Sequence, residues 1–304
     1  MSINSLQLRH IRSFLAVAER KSFVEAAAQL GVSQPALSQT INHFEQVLGI
    51  KLFTRTTRHV ELTEQGQQLL KKSGDLDHEI RRYFNELRLL RDSTSATIRI
   101  GYLIGTGVQI MPEAVRRFEE KFPNVAVDLA EFDFNRPDVG LKDGTVDCAI
   151  VRPPIGLDNI QLDHLFYERC VVCLSERHPL TAYASLTFDQ IKGVPVVAAP
   201  GVGVWRDYWL ASDRRAGETL NVAFEAATLD SELQAVATQK GISITAESTE
   251  KYYARPGVTF RPLTDMSDCS VAIGYRNSGN PRTLDFVKII KKVAESIQPG
   301  VSSG

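Results

Sequence analysis

Between residues 33 and 42 the chain carries Ser33, Gln34, Pro35, Ser38, Gln39 and Asn42, hydroxyl and amide side chains around one proline. A carboxamide offers a donor and an acceptor side by side, the pattern that pairs two-pronged with the edge of adenine in the major groove of a duplex. Such side chains act together only if one helix face presents them. On a helix the apolar Leu37, Ile41, Phe44 and Leu48 recur at steps of four, three and four and form one row. Pro35, Gln39 and Asn42 then lie across from that row, with Ser38 and His43 on its flanks and Gln34 at the tip.

Two further elements must hold this helix. Ser22 can cap a first short helix whose Phe23, Ala26, Ala27 and Leu30 turn inward. Gly31 can enter the left-handed conformation that closes it, and Ser33 caps the next helix with Pro35 in its first turn. Ahead of both, Leu6 to Arg20 reads as a supporting helix with Leu8, Ile11, Phe14, Leu15 and Ala18 inward. A plain helical hairpin with a solvated outer face would show the same periodicity, so the following segment matters. Residues 49–66, GIKLFTRTTRHVELTEQG, read as strand, basic turn and strand. In the turn Arg55, Thr56, Arg58 and His59 could reach phosphates or a minor groove.

These residues resemble the LysR-type transcriptional regulators. The resemblance is carried by Phe14, Val17-Ala18, Ser22-Phe23, Ala26-Ala27, the run Val32 to Ser38, Glu45, Leu48-Gly49, Leu52-Phe53, Arg55, Arg58, Leu62-Thr63-Glu64 and Gly66. It is nearly continuous over about the first 66 residues. One departure stands out, since the family usually has a basic residue where this chain has Gln39. The resemblance implies an α/β protein with an N-terminal winged helix-turn-helix whose core is helical. A long linker helix would join it to a two-lobed, periplasmic-binding-protein-like effector domain. Its DNA contacts would come from Ser33, Gln34, Pro35, Ser38, Gln39, Asn42, Arg55 and Arg58. It also implies a cytoplasmic, bacterial homodimer or homotetramer on an inverted-repeat promoter site, with RNA polymerase as a further partner and no cofactor.

Charge is distributed accordingly. The formal net charge is −1, yet residues 1–60 hold seven Lys/Arg against three Glu, a local +4 that leaves −5 on the rest. A protein that docks on nucleic acid with one end only fits that balance. The 304 residues, 43% hydrophobic, suffice for two or three domains. No apolar run approaches the roughly 20 residues of a membrane span, and the first ten residues lack the apolar core of a secretion signal. Cys148, Cys170, Cys173 and Cys269 are too few and scattered for a disulfide framework. Cys170 and Cys173 form a CxxC inside a strand-like run, where positions i and i+3 face opposite ways, so a shared metal is not expected.

From Thr63 to about Asp92 a long helix carries apolar residues on a seven-residue beat: Leu69, Leu76, Tyr83 and Leu90, with Ile80 and Leu87 on the second series. Such a beat with charged flanks pairs two helices of separate chains. The expected domains are therefore 1–62 for DNA binding, 63–92 for the linker and dimerisation helix, and 93–304 for the effector. The resemblance divides the last into a lobe of 97–166 with 269–298 and a lobe of 167–268.

After residue 96 strands and helices alternate, which predicts open α/β lobes with mostly parallel sheets. Expected strands include TIRIGYL, VAVDLAE, VDCAIV, a single strand FYERCVVCL, VPVVAA, NVAFEA, GISIT and SVAIGYR, with a short helix near Leu141. Such sheets bind ligands beyond the carboxyl ends of their strands. Thr106, Asn135, Arg152, Val202, Gly203, Trp205, Thr228 and Thr245 all lie at such ends or at the helix starts beside them. Arg152 could hold a carboxylate two-pronged, unless it serves a structural ion pair, for instance with Asp133. Together they predict a small, anionic and aromatic effector. A thiol-switched regulator is one alternative and an α/β enzyme another, the latter with no GxSxG, HExxH or P-loop to support it.

Overall fold

The computed structural model describes residues 5–55, 60–91, 97–215, 220–276 and 280–297, without the side chains of residues 55, 74–75, 77–79, 81–82, 84–86 and 88–91. The chain forms two compact units, residues 1–84 and 85–304.

In the first unit α1 (Leu8–Arg20), α2 (Phe23–Leu30) and α3 (Gln34–Leu48) surround one apolar cluster built on Phe14, Val17, Phe23, Ala26, Leu37, Ile41, Phe44 and Leu52. The local signals act as their chemistry requires. Ser22 Oγ accepts from the Glu25 N–H at 3.3 Å, and Ser33 Oγ from the Ala36 N–H at 3.3 Å. Gly31 closes α2 with φ +65°. The strands β1 (Phe53–Arg55) and β2 (Val60–Leu62) pair antiparallel as the wing, Phe53 opposite Leu62. Arg58 and its neighbours 56–59 lie outside the described residues, as does the side chain of Arg55.

The helix α4 (Glu64–Arg91) begins after Thr63, whose Oγ1 accepts from the Gly66 N–H at 3.0 Å and donates to the Lys51 carbonyl at 2.7 Å. Gly66 is required here by contact, because a Cβ would stand 2.2 Å from the Leu52 carbonyl oxygen. Leu69 packs against the first unit's core, whereas Leu76, Tyr83 and Leu87 are exposed. Ile80 is half-buried, and the Leu90 side chain is outside the described set.

The second unit contains two sheet systems. The first is a five-stranded sheet in the order β4-β3-β5-β12-β6. It is formed by β3 (Thr97–Leu103), β4 (Ala126–Phe132), β5 (Cys148–Val151), β6 (Gln161–Glu168) and β12 (Cys269–Tyr275). Here α5 (Met111–Lys121) and α10 (Thr283–Ile297) bury Phe118 and Phe286 in one cluster with Ile98, Ile100 and Ile150. Only β3, β4 and β5 are parallel, and β12 runs antiparallel to both of its neighbours.

The second system contains β7 (Cys170–Ser175), α6 (Phe188–Ile191), β8 (Val196–Ala198), α7 (Val204–Trp209), β9 (Val222–Glu225), α8 (Leu229–Ala237), β10 (Ser243–Ala246), α9 (Glu247–Tyr253) and β11 (Val258–Pro262). β10, β7 and β11 are antiparallel, and β8 and β9 are parallel, with an isolated parallel bridge from Val196 to Ile242, the residue before β10. The mostly parallel sheets expected from alternation are thus mixed.

The run expected as one strand is two, β6 and β7, separated by Arg169 and belonging to different sheets. Alternation cannot reveal such a break, since the apolar pattern continues across it. β11 was not anticipated, because VTFRP ends in proline and carries an arginine. Near Leu141 there are turns rather than a helix. Cys170 and Cys173 do face apart, into two separate apolar clusters.

Candidate functional site

In the first unit, Gln34, Pro35, Gln39 and Asn42 are exposed along one side of α3, while Leu37, Ile41 and Phe44 are buried on the other. Gln34 Nε2 donates to Ser38 Oγ at 3.1 Å, which couples the first turn's amide to the next turn's hydroxyl. Ser33 is engaged as the cap.

Behind this face, Glu45 is a carboxylate only 4% exposed. Its Oε1 accepts from the Leu52 N–H at 2.9 Å and the Phe53 N–H at 3.3 Å, and Oε2 from Lys51 Nζ at 2.6 Å. Burial alone would raise its pKa, but the Lys51 ammonium and the two amides outweigh that and hold it below the usual carboxylate range. Glu45 therefore ties the end of α3 to the start of the wing. Nothing in the local pattern singled out this lock, because a glutamate on a helix normally reads as solvated.

In the second unit a narrow cleft, with a cavity volume of about 50 Å³, is lined from both sheet systems. Leu103 to Thr106 run from the last residue of β3 into the turn after it, Phe134 follows β4, and Arg152 follows β5. Val197 to Ala199 end β8. The helices supply Trp205, Arg206, Trp209 and Leu210 from α7, Leu229 and Glu232 from α8, and Thr249 from α9, with Ala226 after β9 and Ile244 and Thr245 from β10. Carboxyl ends of parallel strands thus converge, as open α/β sheets favour.

Of the eight effector residues expected from the sequence, the cleft unites Thr106, Arg152, Trp205 and Thr245. Asn135 is exposed and bonded to Asp133, with its N–H on Oδ1 at 3.0 Å and Nδ2 on Oδ2 at 3.3 Å. The neighbouring Phe134 is the one that reaches the wall. Val202 is 97% exposed and stands outside. Gly203 and Thr228 precede α7 and α8 as their N-terminal flanks, so they place Trp205 and Leu229 rather than line the cleft. Phe134 aside, Trp209 and Glu232 were missed, since on short helices both read as ordinary packing or solvated positions.

Arg152 differs from expectation in its chemistry. It is 5% exposed and closed on Glu168, with Nη2 also on Ser248 Oγ at 2.9 Å and the Gly105 carbonyl at 3.4 Å, and Nη1 on Cys269 Sγ at 3.5 Å. The structural ion pair is therefore the one that forms, with Glu168 in place of Asp133. Glu168 ends β6, next to the crossing into the second system, so no local pattern in the sequence could pair it with Arg152. Thr245 Oγ1 lies 2.8 Å from Thr249 Oγ1.

No group of three or more His, Cys, Asp or Glu among the described residues could hold a metal ion. Among those residues, no helix is long and apolar enough to cross a membrane.

Known proteins share both parts. The family profile for the bacterial regulatory helix-turn-helix protein of the lysR family matches residues 8–67, and that for the LysR substrate binding domain matches residues 91–295. The transcriptional regulator AlsR of Bacillus subtilis is 28% identical over 293 residues, covering 93% of this chain and 95% of its own. BudR of Raoultella terrigena is 29% identical, covering 92% and 98%. The crystal structure of full-length BenM superposes with a TM-score of 0.56 at 24% identity, covering 97% of this chain and all of its own. With an exposed amide-bearing helix in one unit and a strand-end cleft in the other, this chain belongs to the LysR family of DNA-binding transcriptional regulators.

Proposed function

We propose that α3 enters the major groove of an inverted-repeat promoter site, with Gln34, Gln39 and Asn42 at base edges and Ser33, Pro35 and Ser38 shaping the approach. Arg55 and Arg58 of the wing would meet phosphates. The observation that carries this reading is the division of α3, amides outward and every apolar residue of its row turned into the core. Two copies present two such helices, which lets a two-fold dimer read two half-sites. The exposed Leu76, Tyr83 and Leu87 on α4, with Ile80 beside them, support that pairing, and Leu90 would extend the seam, whereas Leu69 is taken up by the first unit's core.

In this reading 1–62 binds DNA, 63–92 pairs the chains as a homodimer or homotetramer, and 93–304 senses. The sensing part divides into lobes of 97–166 with 269–298 and of 167–268. A small molecule in the cleft, touching Thr106, Arg152, Trp205 and Thr245, favours one arrangement of the lobes over another, and that difference in affinity passes to RNA polymerase at the promoter. The cytoplasm is where such a protein would act.

A gel-shift series with the promoter fragment beside its own coding region, at two salt concentrations, tests the DNA part. Asn42→Ala is expected to cost about tenfold in affinity, the scale of one lost two-pronged base contact. Arg58→Ala should lower the slope of log affinity against log salt by about one with sequence preference intact. Unchanged binding by Asn42→Ala would remove the outer face of α3 from the interface.

One observation favours a second, thiol-switched reading. Cys170 and Cys269 start the two strands by which the chain passes between sheet systems, and both sit in one apolar cluster. Loss of response to peroxide in a variant with all four cysteines changed to serine would support it.

A further inference from the structure

The cleft serves its own polar atoms unequally. Both tryptophans of the chain, Trp205 and Trp209, stand in the wall with ring centres 6.2 Å apart, and Phe134 lies 5.5 Å from Trp205. The Nε1–H of each indole is buried without an acceptor among the described residues, and the Thr106 hydroxyl is likewise buried and unbonded. Trp205 and Thr106 are 7% and 2% exposed. An indole N–H only donates, and leaving a buried donor without an acceptor is costly. All three residues line the cleft, and among the described residues the protein supplies no acceptor for these atoms.

The charges in the wall narrow the chemistry further. Arg152 is closed on Glu168, and Arg206 is closed on Glu225 at 3.0 Å and on the Gly201 carbonyl. Neither guanidinium stands ready for an incoming anion. Glu232 forms no ion pair among the described residues. Burial pushes its pKa up to about 7, and the Ser243 hydroxyl beside it offsets this only in part. An anion would meet two neutralised cations and a carboxyl. An ammonium would bring no acceptor for the indoles.

We propose that the cleft takes an uncharged, flat ligand, its carbonyl-type oxygen accepting from the Thr106 hydroxyl and an indole N–H while an N–H or O–H of the ligand donates to Glu232. Phe134 and the two indoles supply the faces against which its ring or chain lies. This refines the effector class and rests on the cleft being the effector site.

Because every tryptophan of the chain is in this wall, intrinsic tryptophan emission reports on the cleft and nowhere else. The full-length protein is titrated at pH 7 with three probes of one shape and different charge: benzamide, benzoate and benzylamine. Benzamide is expected to change the emission saturably, at least about tenfold more tightly than either ion. Thr106→Val, which keeps both fluorophores and breaks no bond within the protein, should weaken benzamide about three- to tenfold, the span of one net hydrogen bond, without lowering the melting temperature. Glu232→Gln should narrow the gap between benzoate and benzamide.

Benzoate or benzylamine binding as tightly as benzamide overturns the uncharged-ligand inference and leaves the cleft standing as the binding site. No emission change with any probe overturns the cleft reading itself. Thr106→Val binding benzamide at native affinity, or Glu232→Gln leaving the gap between benzoate and benzamide unchanged, overturns the assigned contacts.

Discussion

Each unit of this protein buries a glutamate, and the two are treated in opposite ways. Glu45 in the first unit has three donors on its carboxylate and is held below its ordinary pKa. Glu232 in the second unit faces a cleft, forms no ion pair among the described residues, and is raised to about 7. A buried charge that is fully served acts as a fastener, whereas one that is left underserved is kept for something outside the protein. The DNA-reading unit spends its interior polarity on rigidity, and the sensing unit leaves some of its own unspent.

The contrast can be broken most forcefully at Arg152. It serves Glu168, Ser248 and the Gly105 carbonyl together, so Arg152→Ala leaves the Glu168 carboxylate buried and unpaired. The second unit should lose about 3–5 kcal/mol, read by amide hydrogen exchange on its core strands, with the amides of α1 to α3 unchanged. A loss below about 1 kcal/mol would mean that the pair is ornamental. This also revises what a loss of response in that variant would mean, because unfolding and lost ligand contact would coincide.

A smaller effect comes from Glu232. Its folded pKa lies above the value of an unfolded glutamate, so between about pH 4.5 and 7 the folded state holds the extra proton. Stability of the second unit should therefore fall as pH rises through that window, by about 3 kcal/mol in total at about 1.4 kcal/mol per pKa unit. Glu232→Gln should flatten the slope. A native profile that is level from pH 5 to 8 would show that the carboxyl is better solvated than its burial implies.

Glu45 should give the opposite sign and the smallest effect. Its folded pKa is depressed, so the stabilisation is present above the ordinary carboxylate value and is lost as pH falls through and below it. Glu45→Gln retains one acceptor and loses the charge, and should cost the first unit about 1–3 kcal/mol at neutral pH. The same substitution should reduce its sensitivity to acid. Equal acid sensitivity of native and variant chains would mean that the fastening resides elsewhere, with the Leu52 and Phe53 amides satisfied by other means.

The same contrast explains what the sequence made legible. The reading helix is set by neighbours three and four residues away, and by Ser22, Gly31 and Ser33 at its joints, so its two faces follow from periodicity alone. The cleft draws on segments from Leu103 to Thr249 that meet only after two sheet systems have formed. Thr106, Trp205 and Thr245 were recoverable because strand ends are generic places for ligands. Trp209 and Glu232 were not, since their role depends on which way α7 and α8 lean. Arg152 lies in the cleft wall, but its ion-pair partner is Glu168 rather than Asp133, because the crossing between β6 and β7 leaves no mark in hydropathy. The antiparallel runs of β12 and β11 were hidden for a similar reason, as strand direction is a property of the connections rather than of the strand residues.

Gly66 has a consequence for the promoter. With the Leu52 carbonyl where a methyl group would otherwise stand, the start of α4 packs directly against the segment that leads into the wing. In the proposed dimer this contact would hold each reading helix in register with its own α4, so operators with half-sites shifted by a base pair would have to be accommodated by DNA bending or rejected.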